Sequence, residues 1–225
     1  MNKKIIIFGA SSFIAQEISN KLRDNYELIC ISKKRIFNKK IKFIKTNYNL
    51  NSIQKTLEKN INKKDKPIFI FFNSLSDKKI FVKKTIKEIE NIIYVNQILP
   101  ILLTNLILKK FFFYKPIFLY ISSSRGKKGD KGISLYSTTK NALSSFAKNM
   151  AIEYGKFGII FKVILLGLFK GGLKNKLSNK NNKKILEDTF NNSYVEIDQL
   201  LKVVEYSIDD TSGNGSEIHC DNGFN

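Results

Sequence analysis

A serine, a tyrosine and a lysine stand near the middle of the chain at spacings that suit a proton-transfer site: Ser123-Ser124-Arg125-Gly126, then Tyr136-Ser137-Thr138-Thr139-Lys140. In a helix beginning near Leu135, Tyr136 and Lys140 lie one above the other on a single face, with an ammonium beside a phenol. A phenol titrates near ~10 when unperturbed, so exchanging its proton near neutral pH calls for an adjacent positive charge. Lys140 supplies that charge in this reading. Ser123 lies at the end of the apolar run Pro116-Ile117-Phe118-Leu119-Tyr120-Ile121, which reads as a buried strand offering the serine hydroxyl at its carboxyl end. Ser122 and Ser124 carry the same chemistry on either side, and the three-residue offset to Gly126 favours the middle one.

The elements that must hold such a site alternate along the chain. Lys3-Lys4-Ile5-Ile6-Ile7-Phe8-Gly9-Ala10-Ser11-Ser12-Phe13-Ile14-Ala15 reads as a basic flank, an aliphatic strand, a glycine turn and a helix start. Small residues in such a turn let backbone N–H groups at a helix N-terminus approach a pyrophosphate, where the helix dipole also favours negative charge. Further strands are expected at Glu27–Ile31, Pro67–Phe72, Gly158–Leu166 and near the chain end. Apolar runs alternating with amphipathic stretches indicate an α/β fold, a doubly wound parallel sheet of about seven strands with helices on both faces. The 225 residues, 43% hydrophobic, suit one domain spanning 1–225, with no repeat or linker.

Taken in order, these pieces resemble the short-chain dehydrogenase/reductase family over nearly the whole chain, in a mostly classical form with a divergent glycine loop. The resemblance implies a single Rossmann-type domain that binds a nicotinamide dinucleotide. It assigns cofactor contacts to Gly9, Ser11, Ser12, Phe13 and Ile14, although of the family's loop glycines only Gly9 is kept. Asn73-Ser74-Leu75 stands where Asn-Ala-Gly is common, making Asn73 a further contact. Asn96 falls where the family has an asparagine holding a relay water; beside Pro100 it also reads as a structural residue at a helix irregularity. Gly167 matches the glycine after the sixth strand, while Leu166 and Lys170 replace a usual proline and threonine. The run Ser212 to Phe224 resembles the classical ending.

By that resemblance Tyr136 is the general acid or base, Ser123 polarises the substrate oxygen, Lys140 holds the nicotinamide ribose, and Asn96 completes a proton relay. The expected reaction is hydride transfer between nicotinamide and a carbonyl or hydroxyl carbon. The substrate, small or carrier-linked, is left open, and an anionic one suits the charge. The alternative is a dinucleotide-binding sensor or scaffold without chemistry. The second strand ends in Ser32-Lys33-Lys34-Arg35 with no acid from Ser32 to Lys34, which favours NADP(H) over NAD(H), with Ser32, Lys33 and Arg35 as phosphate contacts. A solvated basic loop is the plainer reading of the same residues.

The net charge of +20 raises nucleic-acid binding, but only three of the 39 basic residues are arginines and the lysines are spread along the chain, so no specific nucleic-acid partner is expected. A positive surface still steers anionic ligands. Cys30 and Cys220 lack metal or redox spacing and read as buried thiols in a reducing compartment; no metal site is expected. His219 reads as an ordinary strand residue. With no signal-like start and no apolar run reaching the ~18–20 residues a bilayer requires, a cytoplasmic protein without membrane contact is expected. The segment around 168–195, rich in lysine and asparagine from Lys170 to Lys184, is expected to be a substrate lid. The apolar excess from Ile98 to Phe113 fits a homodimer or homotetramer.

Overall fold

A computed structural model describes residues 3–35, 40–76, 78–169, 186–187 and 189–224. Seven strands form one sheet in the order β3-β2-β1-β4-β5-β6-β7. They are β1 (Lys4–Phe8), β2 (Glu27–Ser32), β3 (Lys42–Lys45), β4 (Ile68–Phe71), β5 (Ile117–Ser123), β6 (Ile160–Leu166) and β7 (Glu217–Cys220). Every pairing is parallel, so each connection crosses a face of the sheet and most crossings carry a helix. The helices are α1 (Phe13–Leu22), α2 (Leu50–Asn60), α3 (Ile86–Ile93), α4 (Leu99–Phe111), α5 (Arg125–Lys128), α6 (Ser134–Tyr154) and α7 (Ile197–Asp209).

Burial on both faces explains why the central strands are continuous apolar runs. In β4 Ile68 and Ile70 face one core with Ile5, Ile7, Ile18 and Val204, while Phe69 and Phe71 face the other with Phe8, Leu103 and Phe118. Aromatic rings stack across strand ends in the second core: Phe118 on Phe161 at 4.8 Å between centroids and Phe71 on Tyr120 at 5.0 Å. Each such ring removed from water contributes roughly 1.5–3 kcal/mol. Strand β3, Lys-Phe-Ile-Lys, has no apolar run to announce it; as an edge strand it needs only its backbone pairing with β2.

Two sequence expectations change here. Lys4, read as a flank, opens β1 and is buried, its ammonium held by Asp65 at 3.0 Å, Glu27 at 3.3 Å and the Asn60 carbonyl at 2.7 Å. The helical run Ile86–Tyr114 is long and apolar enough to cross a membrane by length and composition, contrary to the expectation that no segment is. In this fold its Leu99, Leu103, Ile107 and Phe111 pack on the sheet, which accounts for the hydrophobicity without lipid.

Strand order reverses between β1 and β4, whose neighbours lead away in opposite directions. The loops leaving their carboxyl ends therefore diverge and open a crevice there. Helix α6 lies along β5 and β6, carrying its first turns to the same edge. Lys170 and residues 170–185 and 188 of the expected lid lie outside the described residues. Val195 N–H donates to the Leu168 carbonyl at 2.7 Å.

Candidate active site at the carboxyl edge of the sheet

Helix α6 starts at Ser134, one residue before the expected Leu135, and places Tyr136 and Lys140 on one face with the Lys140 ammonium 5.9 Å from the Tyr136 ring centroid. The three serines at the end of β5 are sorted by their partners. Ser122 donates to the Lys140 carbonyl at 2.9 Å, Ser124 bonds the Asp221 carboxylate, and Ser123 lies beside the Tyr136 hydroxyl, where it favours the phenolate. Alternation turns Ser122 and Ser123 to opposite faces of β5, and Ser124 already lies in the turn into α5. Ser74, just after Asn73, is a second partner of the Tyr136 hydroxyl that sequence reasoning missed. Its only signal was its place in the loop leaving β4.

The electrostatics differ from the expectation built on Lys140. Burial raises the Tyr136 phenol above its ordinary value, opposed by the hydrogen bonds of Ser123 and Ser74 and by the positive charge of Arg125. Lys140 is 2% exposed and donates to the Ile121 carbonyl at 2.8 Å and the Asn73 carbonyl at 3.3 Å. Burial without a carboxylate partner lowers its ammonium to about 7. Arg125, a residue quoted in the serine motif but given no role there, is a further cation acting on the phenol. Its Nη1 is 2.9 Å from Asp130, its guanidinium lies 5.8 Å from the Phe224 ring centroid, and its Nε is buried without a hydrogen-bond partner.

Asn96 sits in a π-helical turn, Tyr94–Ile98, between α3 and α4. Pro100 has no N–H for the carbonyl four residues before it, and the ladder rewinds into longer bonds such as Leu99 N–H to the Tyr94 carbonyl. The Asn96 amide clamps the backbone of Leu75, accepting from its N–H at 2.6 Å and donating to its carbonyl at 2.8 Å, and also donates to Thr139 Oγ1 at 3.1 Å. The residue thus ties the loop after β4 to helix α6. The clamp is structural, as its place beside Pro100 led one to expect, and the loop it holds carries Ser74.

The turn after β1 fits a dinucleotide by its shape. Gly9 has φ +74°, and a Cβ there would stand 2.7 Å from the Asn73 backbone nitrogen, so no side chain is tolerated. Ser12 caps α1 by accepting from Ala15 N–H at 3.2 Å, which leaves the Phe13 and Ile14 N–H groups, without intrahelical acceptors, at the open end of the dipole. Ala15 is fully buried, so the helix packs closely without glycine there. Phe13 is 49% exposed and its ring meets Phe169 edge-on at 6.3 Å, standing outside the turn rather than filling it. Asn73 is 5% exposed, and its Oδ1 is a buried acceptor with no donor among the described residues, as a site waiting for a ligand hydroxyl or amine would have.

Other expected contacts are placed differently. Ser32 is buried, with its hydroxyl donating to the Lys34 carbonyl at 2.7 Å, so it closes the turn after β2 instead of facing a ligand; Lys33 and Arg35 are exposed. The Ser11 carbonyl accepts from Gln16 at 3.1 Å. Gly167 is needed for packing: a Cβ would lie 2.6 Å from Asp221 Cα, and its N–H donates to the Cys220 carbonyl at 3.0 Å. Asp221 receives Ser124 and, at 2.7 Å, His219 Nδ1. Burial opposes its charge, yet these bonds hold its carboxyl below the usual range. The Ser124–Asp221 bond ties the segment after β7 to the end of β5. Cys30 and Cys220 are free and buried, their thiols pushed up to about 11 by burial. No group of three or more metal-binding side chains occurs among the described residues.

Comparison with known proteins agrees with this geometry. The family model for short chain dehydrogenase matches residues 3–182. No curated protein sequence matches significantly. Among solved structures, a short chain dehydrogenase from Leptospira borgpetersenii serovar Hardjo-bovis with bound NAD+ superposes with a TM-score of 0.88 at 20% identity, covering 100% of this chain and 93% of that one. A 4-hydroxyisoleucine dehydrogenase complexed with NADH gives 0.83 at 21% identity, covering 99% and 98%. ElxO with NADP bound gives 0.85 at 18%, covering 100% and 99%. The chain belongs to the short-chain dehydrogenase family, oxidoreductases acting on CH–OH or C=O groups with a nicotinamide dinucleotide.

Proposed function

We propose that the protein is an NADP(H)-dependent carbonyl or alcohol oxidoreductase in which Tyr136 transfers the proton. The observation that carries this reading is the Tyr136 phenol, its hydroxyl beside Ser123 and Ser74 and its ring 5.9 Å from the Lys140 ammonium, at the mouth of the crevice. A bound nicotinamide supplies or accepts the hydride. Ser123 donates to the substrate oxygen and orients it towards Tyr136, which gives its proton in reduction and takes it in oxidation. The raised phenol suits the acid role, and Arg125 stabilises the phenolate left behind. Lys140 directs its ammonium at the carbonyls of Ile121 and Asn73 and reaches the ribose of a bound dinucleotide from there. Asn96 keeps the Ser74 loop against α6.

Lys33 and Arg35, exposed after β2 with no carboxylate beside them, support NADP(H) over NAD(H). The exposed Tyr94, Ile98 and Leu102, four residues apart along one helical run, support self-association into a dimer or tetramer. Two reduced cysteines support a cytoplasmic location.

Tyr136→Phe tests the assignment. Turnover of a carbonyl substrate should fall by about 10²–10⁴ while dinucleotide affinity is kept. A purely binding protein would show no turnover to lose. Equal affinity for NADH and NADPH would remove the NADP(H) assignment while leaving the chemistry intact.

A further inference from the structure

Tyr48 follows β3 at φ +63°, in the left-handed region that a bulky residue enters only under constraint. Its N–H donates to Thr46 Oγ1 at 2.9 Å, and Asn49 immediately caps α2 by accepting from Ser52 N–H. The strained backbone swings the ring beneath the sheet edge, where it is 7% exposed among Phe8, Ile31 and Phe71. There its hydroxyl meets three strand ends at once. It accepts from Gly9 N–H at 2.9 Å, donates to the Ile31 carbonyl at 3.2 Å, and accepts from Asn73 Nδ2 at 3.3 Å. Burial raises the phenol's pKa, so it keeps the proton that the Ile31 bond requires. Nothing in the type or spacing of Tyr48 marks it beforehand.

Strain retained where the surroundings over-determine it points to use rather than accident. Here the use is geometric. A hydrogen bond to Nδ2 fixes which way the Asn73 amide faces, and turns Oδ1, the buried acceptor without a donor among the described residues, to the opposite side. The same hydroxyl accepts from Gly9 N–H, which is shared with the Ile31 carbonyl at 3.1 Å, so one atom braces the phosphate turn and orients the Asn73 acceptor. Resting on the dinucleotide reading above, we propose that Tyr48 is a positioning residue for the adenosine half of the cofactor, presenting Asn73 Oδ1 to a donor on that half. It touches no reacting atom, and its loss acts on binding, not on the chemical step.

Tyr48→Phe keeps the ring and removes the hydroxyl. Titration with NADPH, followed by nicotinamide fluorescence, should show binding weakened roughly tenfold, ~1.4 kcal/mol. ADP, which carries the adenosine half alone, should lose the same factor by calorimetry, while nicotinamide mononucleotide loses none. At saturating cofactor kcat should be unchanged. Asn73→Ala should cost a similar factor, and the double variant should be no weaker than the worse single one, since both remove the same contact. Wild-type binding with Tyr48→Phe within twofold of it, additive losses, or a phenylalanine variant that no longer folds would each overturn the positioning role. A wild type that binds neither NADPH nor ADP would overturn the dinucleotide reading itself and this inference with it.

Discussion

Lys140 provides the prediction most directly fixed by geometry. Its ammonium is buried against two carbonyls with no carboxylate partner, and titrates at about 7 in the folded protein against 10.5 when free. Between those values the unfolded chain binds more protons than the native one, so stability must rise with pH across the window; below about 7 both states are protonated and this slope vanishes. From pH 7 to pH 9 the gain is about 2 kcal/mol. For a chain of this size that raises the melting midpoint by roughly 4–8 °C. Other groups titrate nearby. The buried Cys30 and Cys220 hold their protons longer than unfolded thiols do, and Tyr136 likewise, so all three subtract stability as pH rises past their unfolded values. Lys140→Met removes the ammonium and leaves those groups in place. The two carbonyls it strands cost the same at every pH and cancel from the slope. Urea denaturation of both proteins at half-unit steps from pH 7 to 9 should show the wild type gaining about 2 kcal/mol relative to the variant. A difference that stays flat would refute the reasoning, because it would mean the ammonium is hydrated or paired despite its position.

Asn96→Ala should lower stability by about 1–3 kcal/mol by stranding the Leu75 N–H and carbonyl, and should lower kcat as the Ser74 loop loosens; denaturant melts and steady-state kinetics read the two effects separately. Gly167→Ala drives a methyl to 2.6 Å from Asp221 Cα, and should cost about 1–3 kcal/mol, visible as a lower denaturation midpoint. Arg125→Met removes the charge that opposes the rise of the Tyr136 phenol, so the tyrosine-governed limb of the pH–rate profile should move to higher pH; an unmoved limb would mean the guanidinium is too screened to act.

The fold and the candidate catalytic set were legible in the sequence because their physics is local. Strands buried on both faces must be nearly continuous apolar runs, and Ile5 to Phe8, Ile68 to Phe71 and, broken only by Lys162, Ile160 to Leu166 are such runs. Tyr136 and Lys140 share a face by helical periodicity, and Ser123 ends its strand. Composition hid other features. With 39 basic residues, nothing in the sequence separates Lys4 and Lys162, which are buried, from the many that are solvated. Lys162 sits inside the sheet and reaches Asp210 only because the turn after α7 folds back over it. The polar edge strand β3 was invisible for the same reason. Ser32 reads as a ligand contact until its hydroxyl is seen turned inwards to Lys34.

What the sequence determined by itself was everything carried by periodicity and residue type: alternating strands and helices, a glycine turn before a helix, and a serine, tyrosine and lysine at proton-transfer spacing. Tertiary structure alone decided which neighbours those groups have. It gave Ser122 and Ser124 partners of their own and left Ser123 beside Tyr136, set Arg125 near the phenol as a further cation, and brought Tyr48 under Gly9 and Asn73 from the far side of the crevice. Electrostatics and hydrogen bonding depend on distances between segments far apart in the chain, and those distances exist only once the sheet has assembled.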